Sequence, residues 1–235
     1  CRLTPGHYAY LKICEGCLNK CSFCIIPGIK GRFQSLGPKA ILDKVRQFDR
    51  ESVAELNIIG QDITAYAKGL SKRESLRGLL KKILKQAKHI KWLRLLYLYP
   101  SRVDDDLLKL IRDEPRICKY LDVPFQHISD RMLKMMNRHI TRAQIMGLIE
   151  RIRRICPDAA IRTTLITGFP SETDKEFKEM LEFVRDMKFE RLGVFMYSRE
   201  EGTPAYGFKG QIHAATKEKR FGQIMSLQQR INKQR

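Results

Sequence analysis

The stretch HYAYLKICEGCLNKCSFC, residues 7–24, joins a short apolar strand candidate directly to a cluster of cysteines. Cys17, Cys21 and Cys24 have the spacing C-x-x-x-C-x-x-C. Three thiolates so close together can hold one side of a cubic iron–sulfur cluster, although such clusters normally have four cysteine ligands. The spacing therefore indicates either an incomplete four-cysteine site or a cluster with one iron left open for a substrate.

Two other interpretations of the cysteines remain open at this point. Disulfides would suit a secreted protein, but the count of seven is odd, four lie within eleven residues, and no signal peptide is recognisable. Zinc would suit four thiolates, which the run has if Cys14 is included, but a three-residue spacer is short for two C-x-x-C pairs. Cys1, Cys118 and Cys156 are isolated in the sequence and fit small buried or surface thiols.

Composition narrows the class of protein. The chain has 235 residues, enough for one large domain, and none of its apolar runs is long enough to span a bilayer. Clustered cysteines without a secretory leader predict a soluble protein of the reducing cytoplasm. The net charge of +19 favours a nucleic-acid or ribonucleoprotein partner; a generally basic proteome, or acidic partner domains elsewhere, would explain it equally well.

Strand and helix candidates alternate along the whole chain. The strands are expected at 7–13, 55–60, 92–98, 119–123, 159–166 and 191–197. Helices are expected after Pro38, at about 75–87, after Asp104, around 129–136 and 141–154, after Thr173, and from about 214 to the end. Six apolar strands separated by helices predict an α/β fold with a parallel sheet, either doubly wound or a partial barrel.

Chemistry in such folds lies at the carboxyl ends of the strands, and four strings stand there. They are GQDITAY (60–66), VPFQHISDRML (123–133), ITGFPSET (166–173) and YSREEGTPAY (197–206). Their small, polar and turn-forming residues would gather on one face of the sheet. A nucleoside and an amino-acid group could be held there.

Together with ICEGCLNKCSFCIIPGIKGR (13–32), RLLYLYP (94–100) and MLKMMNR (132–138), these strings resemble the radical S-adenosylmethionine (SAM) methylthiotransferases. The resemblance covers nearly all of the chain. It is greatest to the members that modify an aspartate of a small-subunit ribosomal protein. The alternative is the group that modifies the N6-isopentenyladenosine of tRNA, where GQN and PRPGT are expected in place of GQD and REEGT. Glu200 and Glu201 therefore favour the ribosomal-protein group.

The resemblance implies a fold, two cofactors and a set of site residues. The fold is a partial (β/α)6 TIM-like barrel of the radical SAM type. Cys17, Cys21 and Cys24 would hold a 4Fe–4S cluster whose open iron binds SAM, with Phe23 against it. No catalytic residue beyond these ligands is assigned. Gln61 and Asp62 would lie near the methionyl end of SAM, Gln126 and Ser129 near its ribose or carboxylate, and Gly168 and Tyr197 near its adenine.

Simpler roles remain open for several of these residues. Gln126 and Ser129 could only cap the next helix, and Gly168 could only end a strand. His127 could carry protons or be a histidine satisfied within its loop. Cys14 stands where a serine or another small residue is expected, and a small buried residue is the favoured interpretation.

The resemblance also implies parts beyond this chain. Residues 1–235 would form a radical SAM core, whereas family members carry in addition an N-terminal methylthiotransferase domain with a second 4Fe–4S cluster and a small C-terminal TRAM-like domain. Flavodoxin or ferredoxin is the expected electron donor, and no membrane is expected among the partners. A zinc-dependent nucleic-acid-binding module is the remote alternative, but it would not explain the strings at the strand ends.

Overall fold

The computed structural model describes residues 4–71 and 73–234, and Cys1 lies outside them. The chain forms two compact units. Within the described ranges, the first unit comprises residues 4–18, 30–71, 73–122 and 151–159, and the second residues 19–29, 123–150 and 160–234. The strands are β1 (Tyr8–Lys12), β2 (Cys14–Glu15), β3 (Gln34–Ser35), β4 (Glu55–Ile59), β5 (Trp92–Leu95), β6 (Tyr120–Asp122), β7 (Ala160–Thr167) and β8 (Arg191–Met196). The helices are α1 (Ile26–Lys30), α2 (Pro38–Arg50), α3 (Leu76–Gln86), α4 (Asp105–Asp113), α5 (Asp130–Met135), α6 (Arg142–Ile155), α7 (Asp174–Met187) and α8 (Ala214–Lys233).

A parallel sheet organises the first unit. Its strand order is β1-β4-β5, and Tyr8 to Lys12 lie opposite Glu55 to Ile59. The central strand β4 is buried on both faces, since the consecutive residues Leu56, Asn57 and Ile58 are all buried. The outer strand β1 alternates, with Ala9 and Leu11 buried and Tyr10 and Lys12 exposed. The carboxyl ends of β1 and β4 therefore lie side by side. They lead into the cysteine run and into GQDITAY, respectively.

In the second unit β7 and β8 pair in parallel, from Arg162 opposite Arg191 to Thr167 opposite Met196. The buried rings of Phe125, Phe183 and Phe189 pack together, with centroids 5.3–6.2 Å apart. The carboxyl ends of these strands lead into ITGFPSET and YSREEGTPAY. Two more of the predicted strings therefore emerge at one edge of a sheet.

Local capping fixes where several helices begin. Pro38 is the first residue of α2. The Asp104 carboxylate accepts a hydrogen bond from the Leu107 amide at the start of α4. Thr173 and Glu176 form a reciprocal capping box at the start of α7. The predictions of these three helix starts are confirmed.

The six predicted strands are all present, with two differences in detail. The strand expected at 92–98 ends at Leu95, because Tyr97 has a left-handed backbone with φ of 63°. The antiparallel pair of β2 and β3 and the five-residue helix α1 were not predicted.

Over the described ranges, no helix has the length and apolar character needed to cross a membrane.

Candidate functional site

The predicted cluster ligands lie in the loop that follows β2. Cys17 and Cys24 are half-buried and Cys21 is 8% exposed. All six cysteines among the described residues are free thiols, which goes against the disulfide interpretation for them. Between residues 4 and 234, leaving out residue 72, no three His, Cys, Asp or Glu side chains are grouped to hold a metal ion. The assignment of the three ligands therefore stays a prediction.

Main-chain groups at the end of α5 hold part of this loop in the second unit. The Ser22 amide donates to the Met136 carbonyl oxygen at 3.0 Å, and the Ser22 hydroxyl donates to the Met135 carbonyl oxygen at 2.7 Å. The Ala205 amide donates to the Ser22 carbonyl oxygen at 2.8 Å. Ser22 is thus fixed on both sides by segments far from it in sequence.

Two side chains that follow α5 contact the same loop. Asn137 Nδ2 donates to the Lys20 carbonyl oxygen at 2.6 Å, and Arg138 Nη1 donates to Cys21 Sγ at 3.5 Å. A guanidinium N–H can donate a hydrogen bond to a metal-bound cysteine sulfur. This contact of Cys21 therefore fits the surroundings of an iron–sulfur ligand. We call these contacts, with those of Ser22, the α5 clamp.

Phe23 packs into an apolar cluster of the second unit. The buried members of this cluster are Met132, Met136, Ile166, Phe169, Tyr197 and Ala205. The cluster includes Tyr197, which was predicted to lie on the adenine side of SAM. Phe23 and Tyr197 are thus parts of one packed region.

The turn after β7 brings Gly168 close to Tyr197. The Phe169 and Tyr197 rings lie 5.2 Å apart, and Lys217 Nζ donates to the Tyr197 carbonyl oxygen at 2.7 Å. Gly168 has φ of 70°, and a Cβ atom there would overlap with the Lys217 side chain. The turn therefore needs glycine for its backbone and for the approach of α8.

Gln126 and Ser129 differ in what the structure assigns to them. Ser129 is the N-cap of α5 and also donates to Glu176 Oε1 at 2.9 Å. Gln126 has φ of 75°, and its amide and carbonyl pair with β7 at Thr164 and Ile166. Its Oε1 atom is buried and makes no hydrogen bond within the described part of the chain. The helix-capping alternative thus applies to Ser129, whereas Gln126 has a buried acceptor available for a ligand.

His127 is hydrogen-bonded within its loop through one ring nitrogen, whereas its buried Nε2 makes no hydrogen bond within the described residues. Its Nδ1 atom accepts from the amides of Ile128 and Ser129, at 2.9 and 3.0 Å. Its Nε2 atom lies 4.0 Å from Glu172 Oε1. Burial lowers the pKa of His127 to about 4, so the ring is neutral near pH 7. A role in carrying protons is disfavoured by this burial.

The pKa values of Glu172 and Glu176 are shifted in opposite directions. The sequence alone did not indicate a role for either residue. Burial raises the pKa of Glu172 to about 7 despite the nearby Arg220, and Glu172 Oε2 accepts from the Gly168 amide. Burial would also raise the pKa of Glu176. The hydrogen bonds from Arg131 and Thr173 outweigh it, however, and lower that pKa to about 2. Glu172 supports the Gly168 turn, and Glu176 ties α5 to α7.

In the first unit Asp62 is a structural anchor for the loop after β4. Its carboxylate is 2% exposed, pairs with Arg102 and accepts from the Thr64 amide at 3.1 Å. Gln61 Nε2 donates to Glu15 Oε1 at 3.4 Å, and Glu15 also pairs with Lys30. Gln61 thus links the loop after β4 to Glu15 in the cysteine run.

Cys14 is a fully buried thiol at the base of the cysteine run. Its sulfur lies 3.6 Å from the Asp62 carbonyl oxygen, and burial raises its pKa to about 12. A metal ligand must be a thiolate, so this environment disfavours Cys14 as a ligand. The interpretation of Cys14 as a small buried residue is supported.

The sequence profile of the radical SAM superfamily matches residues 11–184, and the chain belongs to this superfamily. It is also similar to proteins named ribosomal protein uS12 methylthiotransferase RimO. It is 47% identical to the one from Geotalea uraniireducens and 48% identical to the one from Citrifermentans bemidjiense, each over 229 residues. Each match covers 97% of this chain and 51% of the relative. The chain thus spans about half the length of these relatives.

Solved structures show the same fold at lower identity. The coproporphyrinogen III oxidase HemN of Escherichia coli, a radical SAM enzyme, has a TM-score of 0.67 at 20% sequence identity. The match covers 94% of this chain and 52% of the HemN chain. The radical SAM methyltransferase TsrM of Kitasatospora setae, with cobalamin and a 4Fe–4S cluster bound, has a TM-score of 0.66 at 17% sequence identity. That match covers 84% of this chain and 38% of TsrM. The predicted α/β fold class, a partial (β/α)6 barrel of the radical SAM type, is confirmed.

Proposed function

We propose that this chain is the radical SAM core of an enzyme that methylthiolates an aspartate of small-subunit ribosomal protein uS12. The similarity to RimO proteins over 97% of the chain carries this proposal. Glu200 and Glu201, which favoured the ribosomal-protein group over the tRNA group, point the same way. A ribosomal substrate also suits the net charge of +19 and a cytoplasmic location.

In this function Cys17, Cys21 and Cys24 would hold a 4Fe–4S cluster, to which SAM would also bind. The bound cluster would supply the electron for reductive cleavage of SAM to methionine and a 5′-deoxyadenosyl radical. The chain itself binds SAM, orients it and excludes water. A small electron-transfer protein such as flavodoxin or ferredoxin reduces the cluster.

Each predicted SAM residue has a specific task in this proposal. Gln61 and Asp62 lie at the methionyl end, and the buried Oε1 of Gln126 accepts from a ribose hydroxyl or the SAM amino group. Ser129 supports that region from the start of α5. The Gly168 turn and Tyr197 enclose the adenine, with Phe23 packed behind them.

The simplest test is to purify the chain without oxygen and measure iron, sulfide and zinc. Iron and acid-labile sulfide support the proposal, whereas a colourless protein with one zinc would contradict it. Alanine at Cys17, Cys21 or Cys24 should abolish the cluster and SAM cleavage. Cys14→Ala is the matched control and should keep both, and loss of the cluster in it would show the ligand assignment to be wrong.

The substrate is tested separately by mass spectrometry of uS12 and of tRNA from a deletion strain. Loss of the methylthio group from uS12 alone supports the proposal, and its loss from tRNA alone identifies the tRNA enzyme. We also propose that these 235 residues on their own bind and cleave SAM without transferring sulfur. Sustained methylthio transfer by them would contradict this.

A further inference from the structure

The segment KMMNR, residues 134–138, has a place in the fold but no role in the function proposed so far. It ends α5 and supplies the α5 clamp. Its other contacts to the cysteine loop involve the Lys20 carbonyl oxygen, the Ser22 amide and the Ser22 hydroxyl. One contact is different in kind, because Arg138 reaches the sulfur of a predicted cluster ligand, Cys21.

Arg138 is held in place and is nearly inaccessible to solvent. The residue is 6% exposed, and its Nη2 atom donates to the Pro124 carbonyl oxygen at 2.6 Å. The second arm of the guanidinium, Nη1, then lies 3.5 Å from Cys21 Sγ. Because Nη2 is held by a main-chain oxygen and the guanidinium is planar, the position of Nη1 is also restricted.

When Cys21 holds the cluster its sulfur carries negative charge, and the Arg138 guanidinium is placed to donate an N–H to it. Arginine suits this contact because its guanidinium stays charged at every relevant pH and can donate hydrogen bonds to two acceptors at once. The contact therefore places a permanent positive charge and an N–H donor on one ligand sulfur.

Resting on the proposed function, we propose that Arg138 is a positioning residue that sets the reduction potential of the cluster through Cys21. Reduction adds one electron, and hence one negative charge, to the cluster and its thiolates. A cation and a hydrogen bond at a ligand sulfur stabilise the reduced form more than the oxidised form. Arg138 would thus make the cluster easier to reduce before SAM is cleaved.

The test compares the reduction potential of the reconstituted wild-type chain with those of Arg138→Met and Arg138→Lys. A redox titration followed by electron paramagnetic resonance gives the potential without any turnover. The control is Arg142→Met, which also removes one positive charge but from a half-exposed side chain paired with Glu179. Circular dichroism and the iron and sulfide contents show whether each variant folds and is loaded.

Arg138→Met should lower the one-electron equilibrium constant for reduction about tenfold, which is about 59 mV. Arg138→Lys should show a smaller loss, because it keeps the charge but cannot hold Pro124 and reach Cys21 together. Arg142→Met should keep the wild-type potential. A loaded Arg138→Met with the wild-type potential, or an equal shift in Arg142→Met, would overturn the proposal.

Two further outcomes are informative. If Arg138→Met does not fold or does not load, Arg138→Lys decides instead: a lowered potential supports the proposal and an unchanged one overturns it. If the wild-type chain itself holds no iron and sulfide, the proposed function fails. That result is distinguishable from failure of the role of Arg138 alone.

Discussion

Replacing Glu172 by glutamine should change how the stability of the protein depends on pH. Glu172 is 3% exposed, and burial raises its pKa to about 7, with Arg220 opposing this effect. The ordinary pKa of a glutamate side chain is 4.5. Glutamine keeps an oxygen that can accept from the Gly168 amide but cannot ionise, so the variant isolates the ionisation.

The sign and size of the effect follow from the two pKa values. Between pH 4.5 and 7 the folded carboxyl keeps a proton that the unfolded chain has lost. Stability from this group is therefore fully present below 4.5 and falls until pH 7. The interval corresponds to about 3 kcal/mol, of which about 2 kcal/mol falls between pH 5 and 8.

His127 titrates in the opposite sense and must be separated from this effect. Burial lowers its pKa from 6.5 to about 4, so its contribution to stability is lost as the pH falls through that interval. The wild-type curve alone therefore combines two opposing slopes. The difference between wild type and Glu172→Gln removes the His127 contribution, since both chains contain it.

The assay is urea unfolding of both chains at pH 5, 6.5 and 8. The free energy of unfolding of Glu172→Gln, relative to wild type, should rise by about 2 kcal/mol from pH 5 to 8. Glu218→Gln, at an exposed position of α8, is the matched control and should follow the wild type. A difference that stays constant or falls with pH would refute the burial argument for Glu172.

Three other substitutions have defined outcomes. Gly168→Ala should lower the thermal midpoint and weaken SAM binding. Alanine costs about 1–2 kcal/mol at a left-handed φ, and its Cβ atom would overlap with the Lys217 side chain. Adding Lys217→Ala should recover part of the lost stability. Arg102→Met should cost about 2 kcal/mol in urea unfolding because it removes one charged hydrogen-bond partner of the buried Asp62 carboxylate, and unchanged stability would contradict a stabilising ion pair. Thr173→Ala should cost about 1 kcal/mol through loss of the capping box, and no change would mean that the cap is not stabilising.

Local features of the sequence predicted local features of the fold. Asp104 and Thr173 act on amides within three residues, so the helix starts that they cap are visible in a short window of sequence. The six strands are visible because each is a short, almost continuous apolar run. The pair of β2 and β3 was not predicted, since two residues per strand give no periodicity to detect.

The sequence indicated candidate site residues one by one but not the contacts between them. Spacing indicated the cysteines, and the resemblance to a known family indicated Gly168 and Tyr197. Arg138 and Cys21, however, are 117 residues apart, and Arg220 and Glu172 are 48 apart. Nothing in the local sequence distinguishes these arginines from the many others in so basic a chain. Their roles become visible only when folding places them against buried acceptors.

Cys14 and Gly60 share one small volume, although 46 residues separate them. A Cβ atom on Gly60 would overlap with Cys14 Sγ, so the sulfur occupies the space that the glycine leaves. Gly60→Ala should therefore be far less damaging in a chain that already carries Cys14→Ala, a departure from additivity expected for touching residues. The two positions should be read as a single unit of sequence variation. Single substitutions at Cys14 or Gly60 would therefore underestimate the range of residues that each position tolerates when the other changes as well.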